Sequence, residues 1–576
     1  MNFNEYKYLD LPKISEEILS YWKKNEIFKK SVDKASGKNP YIFFEGPPSA
    51  NGLPGIHHVL ARSIKDIFLR FKTMKGFYVQ RKAGWDTHGL PVELGVENSL
   101  GITKEDIGKK ISVEDYNEEC KKAVMKYTDI WNDLTLKMGY WVDVKNPYIT
   151  YNPKYMESVW WLLKQIYDKE LMYKGYTIQP YSPKAGTAIS SHELNQPGTY
   201  QDVSDTTVTA QFKLLTKNLP DFLNSDTDIF VIAWTTTPWT LPSNTALTVG
   251  PKIKYSLIRS FNQYTGIKAD FIVAEDLISK QFSNVYYESD NLQDLMEYEF
   301  NAKKIPFVKI KSFLGKELEN IKYEQLIDYA TPHENPKDAF RIILGDFVTT
   351  TDGTGIVHTA PTFGADDALV AKSAKPPVPP MLVKDSNGDL VPLVDLQGKF
   401  RPEMRELAGK FVKNEYYKKD NVPEKSVDVE IAIKLKTENK AFKVEKYKHS
   451  YPNCWRTDKP ILYYPIDSWF IKASSFRDKM VSLNKKINWK PKSTGEGRFE
   501  KWLENVNDWN LSRSRFWGIP LPIWRTEDGK EEMCIGSIEE LINEIVKSVE
   551  KGFMRKNIFS EFKLNDLSDE NYSKID

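Results

Sequence analysis

Apolar residues recur at helical spacing at Ile14, Ile18, Tyr21, Trp22 and Ile27, with lysines elsewhere, and predict an amphipathic helix over 14–28. A short apolar run at 41–44 predicts a strand, and the Gly/Pro/Ser/Asn-rich stretch 45–55 predicts a loop. Leu60, Ile64, Ile67, Phe68 and Phe71 then mark one face of a helix. A second strand-like piece at 78–81 leads into the segment 84–93, and helical patterns continue to about residue 172. Strand, tight loop, helix and strand in that order predict a parallel α/β domain.

From about Gln179 the texture changes to short β-like runs, such as 206–214 and 228–234, broken by turn residues. A β-rich domain inserted into the α/β domain is expected, with the Pro-rich loop 375–380 inside it and its β texture ending near Val444. The segments 451–456, 461–471 and 510–520 read as a return to the first domain. The expected division is a helical arm at 1–38, the first half of the α/β domain at 39–178, the insert at 179–444, and the returning part at 445–576. A chain of 576 residues exceeds what one hydrophobic core organises, which agrees with several units.

Composition narrows the function classes. Hydrophobic content of 40% with 28% charged residues is ordinary for a globular enzyme, and no apolar stretch approaches the roughly 20 residues that cross a bilayer. The start, Met1-Asn2-Phe3-Asn4-Glu5, lacks a signal-peptide pattern, so a cytoplasmic protein without a membrane partner is expected. The three cysteines, Cys120, Cys454 and Cys534, are too dispersed for a disulfide framework or a zinc knuckle. Lys plus Arg (81) nearly balances Asp plus Glu (79), so any RNA contact must rely on local patches.

Two segments carry the candidate chemistry. Trp234-Thr235-Thr236-Thr237-Pro238-Trp239-Thr240-Leu241-Pro242-Ser243-Asn244 crowds hydroxyls onto a turn after an apolar strand. Far downstream, Gly353-Thr354-Gly355-Ile356-Val357-His358-Thr359-Ala360-Pro361, followed by Asp366-Asp367, brings backbone amides, an imidazole and carboxylates. Together these groups suit a ribose, an ester and an ammonium. Threonines in a half-buried strand, a core histidine and an acidic pair at a helix start would account for the same residues structurally. In the first domain, the loop Gly46–Gly55 leads into a helix, where free amides and the macrodipole favour phosphate. Asp86 could equally be a helix cap, and Trp517 a core residue.

The two segments resemble the editing insert of the large class I aminoacyl-tRNA synthetases that handle isoleucine, valine and leucine. Glu45 to Pro54 followed by Gly55-Ile56-His57-His58 is similar to the first ATP signature of that family, whose usual ending is His-Ile-Gly-His. Here Gly55 stands at the first histidine and His57 at the glycine; Ile56 and His58 match by position. Gly84-Trp85-Asp86-Thr87-His88-Gly89-Leu90-Pro91 looks like the isoleucyl version of the second active-site segment.

The resemblance implies a Rossmann-type catalytic domain interrupted by a β-rich editing domain. It implies ATP with Mg2+ as a substrate complex held by Gly55, Ile56, His57 and His58; from the dispersed cysteines, no resident zinc or other metal is expected. Gly46, Pro47, Asp86 and Trp517 would bind the amino acid, with Asp86 on its ammonium. In the editing pocket Asp367 would capture the α-amino group of the wrong residue. Thr235, Thr236 and Thr237 would contact ribose and ester oxygens, and Thr240 with His358 would narrow the pocket. The implied partners are isoleucine, tRNA(Ile) and valine as the edited error, the protein acting as a monomer. A valyl or leucyl relative, a stand-alone trans-editing hydrolase and a non-catalytic RNA-binding fragment are the rival readings. The family's Lys-Met-Ser-Lys-Ser segment is absent from this sequence, so a fragment without that loop and the anticodon-binding domain is expected.

Overall fold

A computed structural model describes residues 5, 7–217 and 219–575; the first four residues, part of the segment read for a signal peptide, lie outside it. The chain divides into two units, one of Met1–Tyr173, Ile471–Asn507 and Arg515–Asp576, the other of Lys174–Phe470 and Asp508–Ser514. Each is a mixture of sequence-distant segments. Among the described residues no helix is long and apolar enough to cross a membrane.

The first unit is largely helical. The helix expected over 14–28 is two, Leu11–Lys24 and Ile27–Asp33, because Glu26 turns left-handed (φ 49°) and breaks the ladder between them. The segment 41–44 forms no regular strand; a single parallel bridge, Pro40 to Tyr78, lies immediately before it. The second strand is shifted from 78–81 to Lys82–Trp85, which pairs in parallel with Asp143–Ile149. Gly84 explains the shift: a side chain there would overlap the ring of Tyr148, so pairing at this point needs glycine. Around these strands lie Ile56–Met74, Leu90–Leu100, Val113–Val124, Thr128–Lys137 and Pro153–Tyr167.

The helix Ile56–Met74 forms as its periodicity predicts, yet its apolar face is not core. Leu60, Ile64, Ile67, Phe68 and Phe71 are all exposed, and Leu69 is its one buried residue. Hydrophobic period reports which residues share a face, not what covers that face.

The second unit is built on an eleven-stranded mixed sheet. Its main path runs Tyr286–Glu288, Ile305–Leu314, Lys254–Phe261, Lys268–Ala274, Ile229–Thr235, Ile356–Thr359, Ala246–Val249, Arg341–Leu344. Tyr200–Lys213 branches from Ile229–Thr235 and pairs with the long strand Ala441–Cys454, so the β texture continues ten residues past Val444. Ile229–Thr235 is central and nearly wholly buried, which is why Ile-Phe-Val-Ile-Ala-Trp is continuously apolar instead of alternating. Tyr200–Lys213 alternates in its second half: Val208, Ala210 and Phe212 enter the core, while Thr207, Thr209 and Gln211 face a buried polar layer. That layer is satisfied; Thr207 donates to the Glu445 carbonyl (3.2 Å) and Gln211 accepts from Asn262 (3.0 Å). A further four-stranded sheet joins Trp509–Asn510, Leu462–Ile471, Met172–Ser182 and Thr187–Ala188.

Candidate functional site

The strand Ile229–Thr235 ends where the three threonines begin, and Ile356–Thr359 lies beside it in the sheet. Val357 pairs with Trp234, so register alone places the two sequence-distant segments side by side. Between them opens a cavity of about 340 Å³ lined by Thr235, Thr236, Thr237, Thr240, His358 and Asp367, with Trp234, Gly353, Gly355, Ala360 and Phe363 among its other walls. A volume in this range holds a small ligand. Every residue assigned from sequence to this pocket faces the same space.

Local chemistry fixes the walls. Thr237 N–H donates to Thr235 Oγ1 (3.1 Å), bending the chain out of the strand into the short helix Pro238–Ser243. Thr240 Oγ1 donates to the Thr237 carbonyl (2.8 Å) and lies 3.0 Å from His358 Nε2. His358 is buried, and burial pushes its imidazole down to about 3, so this wall is uncharged at any ordinary pH. Asp367 stands in the first turn of the helix Ala365–Ser373 and accepts from Ala360 N–H (2.8 Å). Burial pushes its carboxyl up to about 6, against the lowering effect of that N–H. Gly364 makes room for it, since a Cβ there would stand 2.6 Å from Asp367 Cγ. Asp366, the other half of the pair, is exposed.

Gly353 and Gly355 are both left-handed, at φ 70° and 71°. Tyr255 holds the loop by donating to the Gly355 carbonyl (2.6 Å), and a methyl at Gly355 would overlap Cβ of Ala274. Gly355→Ala is therefore expected to cost about 1–3 kcal/mol from overpacking and strain. A thermal midpoint equal to that of the parent would refute the account.

Sequence reasoning left out the supports of this pocket. Trp239 N–H donates to Asp428 Oδ1 (2.9 Å), so the helix Val427–Thr437 anchors the threonine loop. Asp428 is buried beside Lys413, 3.9 Å away, and Lys413 reaches Asp205 at 3.1 Å. Burial opposes the Lys413 charge, but Asp428, Tyr451 and Asp205 together raise its pKa. The sequence carried no marker for this network, because Asp205 lies 208 positions from Lys413 and Trp239 lies 189 from Asp428, and residues so far apart share no local pattern. Asn244 stood inside the quoted run without a role. Thr349 and Asp352 also line the cavity, and the hydroxyl-rich run before Gly353 was the available signal.

In the first unit the loop 45–55 is tied down by its carbonyls. Pro48 accepts from Asp86 N–H (2.9 Å), Ala50 from Tyr127 N–H (3.2 Å) and Gly52 from Trp131 Nε1 (2.8 Å). Gly46 has open space on its Cβ side, and Pro47 is half-buried. Gly55 N–H donates to His58 Nδ1 (2.9 Å), and the His58 ring rests edge-on against Trp131 with centroids 4.7 Å apart. Burial, with His57 and Arg62 nearby, lowers the His58 pKa. Ile56 is exposed. The His57 ring folds back over Gly55: a Cβ at Gly55 would meet His57 Cε1 at 2.8 Å. The imidazole thus lies in the space that a side chain at position 55 would take.

Asp86 is solvent-accessible, yet the adjoining walls desolvate its carboxyl enough to raise its pKa, against a hydrogen bond from the His88 backbone. Trp517 is buried with Val92, Val96, Tyr116 and Cys120, and its Nε1 donates to the Thr87 carbonyl (2.6 Å). Asp86 and Trp517 are thereby linked through one residue. Glu93 closes the arrangement: its carboxylate accepts from Arg515 Nε (2.9 Å), Phe516 N–H (3.2 Å) and Trp517 N–H (3.0 Å). Glu93 ends the segment 84–93, and its sequence neighbourhood gave it no role. Its signal was an acid in an otherwise apolar helix start.

Known proteins can be set beside this geometry. A model of the family tRNA synthetases class I (I, L, M and V) matches residues 17–576. The chain is 57% identical over 592 residues to an isoleucine–tRNA ligase of Bacteroides fragilis, covering 100% of this chain and 51% of the relative. It is 55% identical over 590 residues to that of Porphyromonas gingivalis, covering 100% and 51%. The Clostridium tetani protein of the same name is 42% identical over 540 residues, covering 93% and 46%. The chain thus spans about half the length of the curated relatives it matches.

Proposed function

The chain belongs to the class I tRNA synthetases of the isoleucine, leucine, methionine and valine group, and on that premise we propose that it carries the activation and editing sites of an isoleucine–tRNA ligase. The observation that carries the editing half is the convergence of Thr235, Thr236, Thr237, Thr240, His358 and Asp367 on one cavity. The activation half rests on the family and on the linked Asp86 and Trp517 segments.

In the first unit the substrates are isoleucine and ATP, whose Mg2+ arrives with the phosphates. Asp86 pairs with the isoleucine ammonium, and Gly46, Pro47 and Trp517 bound its side chain. His58 faces the phosphates or adenine from the helix start, and His57 supplies the imidazole that Gly55 lacks. The carboxylate attacks the α-phosphorus and pyrophosphate leaves, so the protein's task is in-line positioning and charge stabilisation rather than proton transfer.

Editing is needed because a hydrophobic pocket separates isoleucine from valine by only about 1–3 kcal/mol, a magnitude already known for this enzyme class. In the second unit Asp367 holds the ammonium of valine esterified to tRNA(Ile). The hydroxyls of Thr235 to Thr237 position the terminal ribose and ester, and the Thr240–His358 wall leaves no room for a further methylene. Water attacks the ester carbonyl, the ribose oxygen leaves, and valine and tRNA(Ile) are released. On this reading the protein acts as a monomer in the cytoplasm.

The chain, at single-turnover concentration, is expected to deacylate Val-tRNA(Ile) and spare Ile-tRNA(Ile). Equal hydrolysis of both, or of neither, would sink the proposal. The rate should also follow Asp367: the ionised carboxylate binds ammonium, so activity holds above its pKa of about 6 and is lost below it. From pH about 7 to about 5 a roughly tenfold fall is expected after correction for the uncatalysed ester. A rate independent of pH would exclude an ionised Asp367.

A further inference from the structure

Behind the wall formed by Thr240 and His358 runs a line of buried polar groups that editing, as described, does not use. Tyr323 is buried, ringed by Phe212 and Phe340, and its hydroxyl lies 2.6 Å from Asn244 Oδ1. Asn244 Nδ2 lies 2.8 Å from the Ala246 carbonyl and 2.8 Å from His358 Nδ1. His358 Nε2 then meets Thr240 Oγ1 at 3.0 Å, and Thr240 meets the Thr237 carbonyl at 2.8 Å.

Each proton in this line can be assigned from chemistry. A backbone carbonyl only accepts, so the Asn244 atom facing Ala246 is the amide nitrogen, and the Asn244 oxygen must face Tyr323. The Tyr323 hydroxyl therefore donates. The second amide hydrogen of Asn244 points at His358 Nδ1, which must be bare to receive it. The buried imidazole is neutral, so its single proton sits on Nε2 and is donated to Thr240. Thr240 in turn spends its own hydrogen on the Thr237 carbonyl. Four hydrogen bonds thus run in one direction, from Tyr323 to the edge of the cavity.

We infer that Tyr323 is a positioning residue for the editing pocket: through Asn244 it holds His358 in the Nε2–H tautomer, so that Thr240 faces the cavity as a hydrogen-bond acceptor only. The consequence concerns substrate class and rests on the deacylation reading. A wall offering a lone pair beside the Asp367 carboxylate favours groups that bring hydrogens, namely the ammonium of an aminoacyl ester and the free hydroxyl of its ribose. An N-acylated aminoacyl ester, lacking the ammonium, is disfavoured. The hydrogen bond from Tyr323 also polarises the Asn244 amide and strengthens its donation to His358. Without that hydroxyl the Asn244 oxygen is a buried acceptor with no partner, and that cost weakens the hold on the amide, which Ala246 then keeps without Tyr323.

The test uses the full chain with its seven histidines labelled with 15N. In the parent protein the His358 ring should show a protonated Nε2 and a bare Nδ1 across pH about 6–8. In Tyr323→Phe the two tautomers should mix, kcat for Val-tRNA(Ile) should fall about tenfold, and KM should stay within about twofold. A parent His358 protonated on Nδ1 overturns the inference without any variant being needed. A Tyr323→Phe protein that keeps a pure Nε2–H tautomer overturns it as well, whatever its activity. If the parent shows the expected tautomer but no deacylation, the fault lies with the proposed function, not with the hydrogen-bond line.

Discussion

Asp367→Ala is expected to slow hydrolysis of Val-tRNA(Ile) by roughly 30-fold to several thousand-fold, the range for truncating one partner of a desolvated charge pair. The physical reason is that Asp367 carries its charge into an otherwise neutral part of the cavity, where His358 and the threonines offer dipoles alone. Its ammonium partner cannot be held by water once the ester is enclosed. The fold should survive. The carboxyl sits at the start of a helix, and the one backbone group it serves, Ala360 N–H, borders the cavity and can bind water instead. Asp367→Asn separates charge from shape, because the amide oxygen can still accept from Ala360. If the Asp367→Asn protein hydrolysed valyl ester at the parental rate, the carboxylate would be a structural cap and the pocket would need another ammonium ligand.

Glu93→Ala is expected to lower the stability of the first unit by about 3–5 kcal/mol, the cost of breaking a buried ion pair from one side. Glu93 is 1% exposed, and its two oxygens satisfy Arg515 and two successive backbone amides at Phe516 and Trp517. Removal takes one carboxylate from a buried guanidinium that Glu97 still faces, and releases both amides. The Trp517 segment would then be held mainly by its Nε1 bond to Thr87, and isoleucine binding should weaken with it. Calorimetry should show the transition of this unit about 10 °C lower. An unchanged transition would mean that Phe516 and Trp517 are held by packing and that the carboxylate contributes nothing net, as some buried ion pairs do.

Much of this was legible along the chain, for reasons that differ by residue. The threonine run and the Gly353–Pro361 segment were recognisable because their chemistry is concentrated in a few adjacent positions. The strand Ile229–Thr235 was legible because a buried central strand is continuously apolar. Other features were not. Glu26 broke one helix into two although glutamate favours helices, since a left-handed turn there depends on tertiary context. The apolar face of Ile56–Met74 was correctly located, yet it lies open. Tyr323, Lys413 and Asp428 went unread because each is ordinary in its own neighbourhood, and their importance comes from Asn244, Asp205 and Trp239, far away in sequence.

By itself the sequence determined which residue types are available and how they cluster: the hydroxyl-rich turn, the paired carboxylates, the altered histidine signature and the alternation of helices and strands. These follow from local physics, since side-chain period, turn chemistry and short motifs need no knowledge of distant contacts. The tertiary structure alone decided that Trp234 and Val357 are sheet neighbours, that Asp367 and not Asp366 turns into the cavity, and that His358 is buried deeply enough to stay neutral. Those are matters of register and desolvation, which exist only once distant segments exclude water from between them.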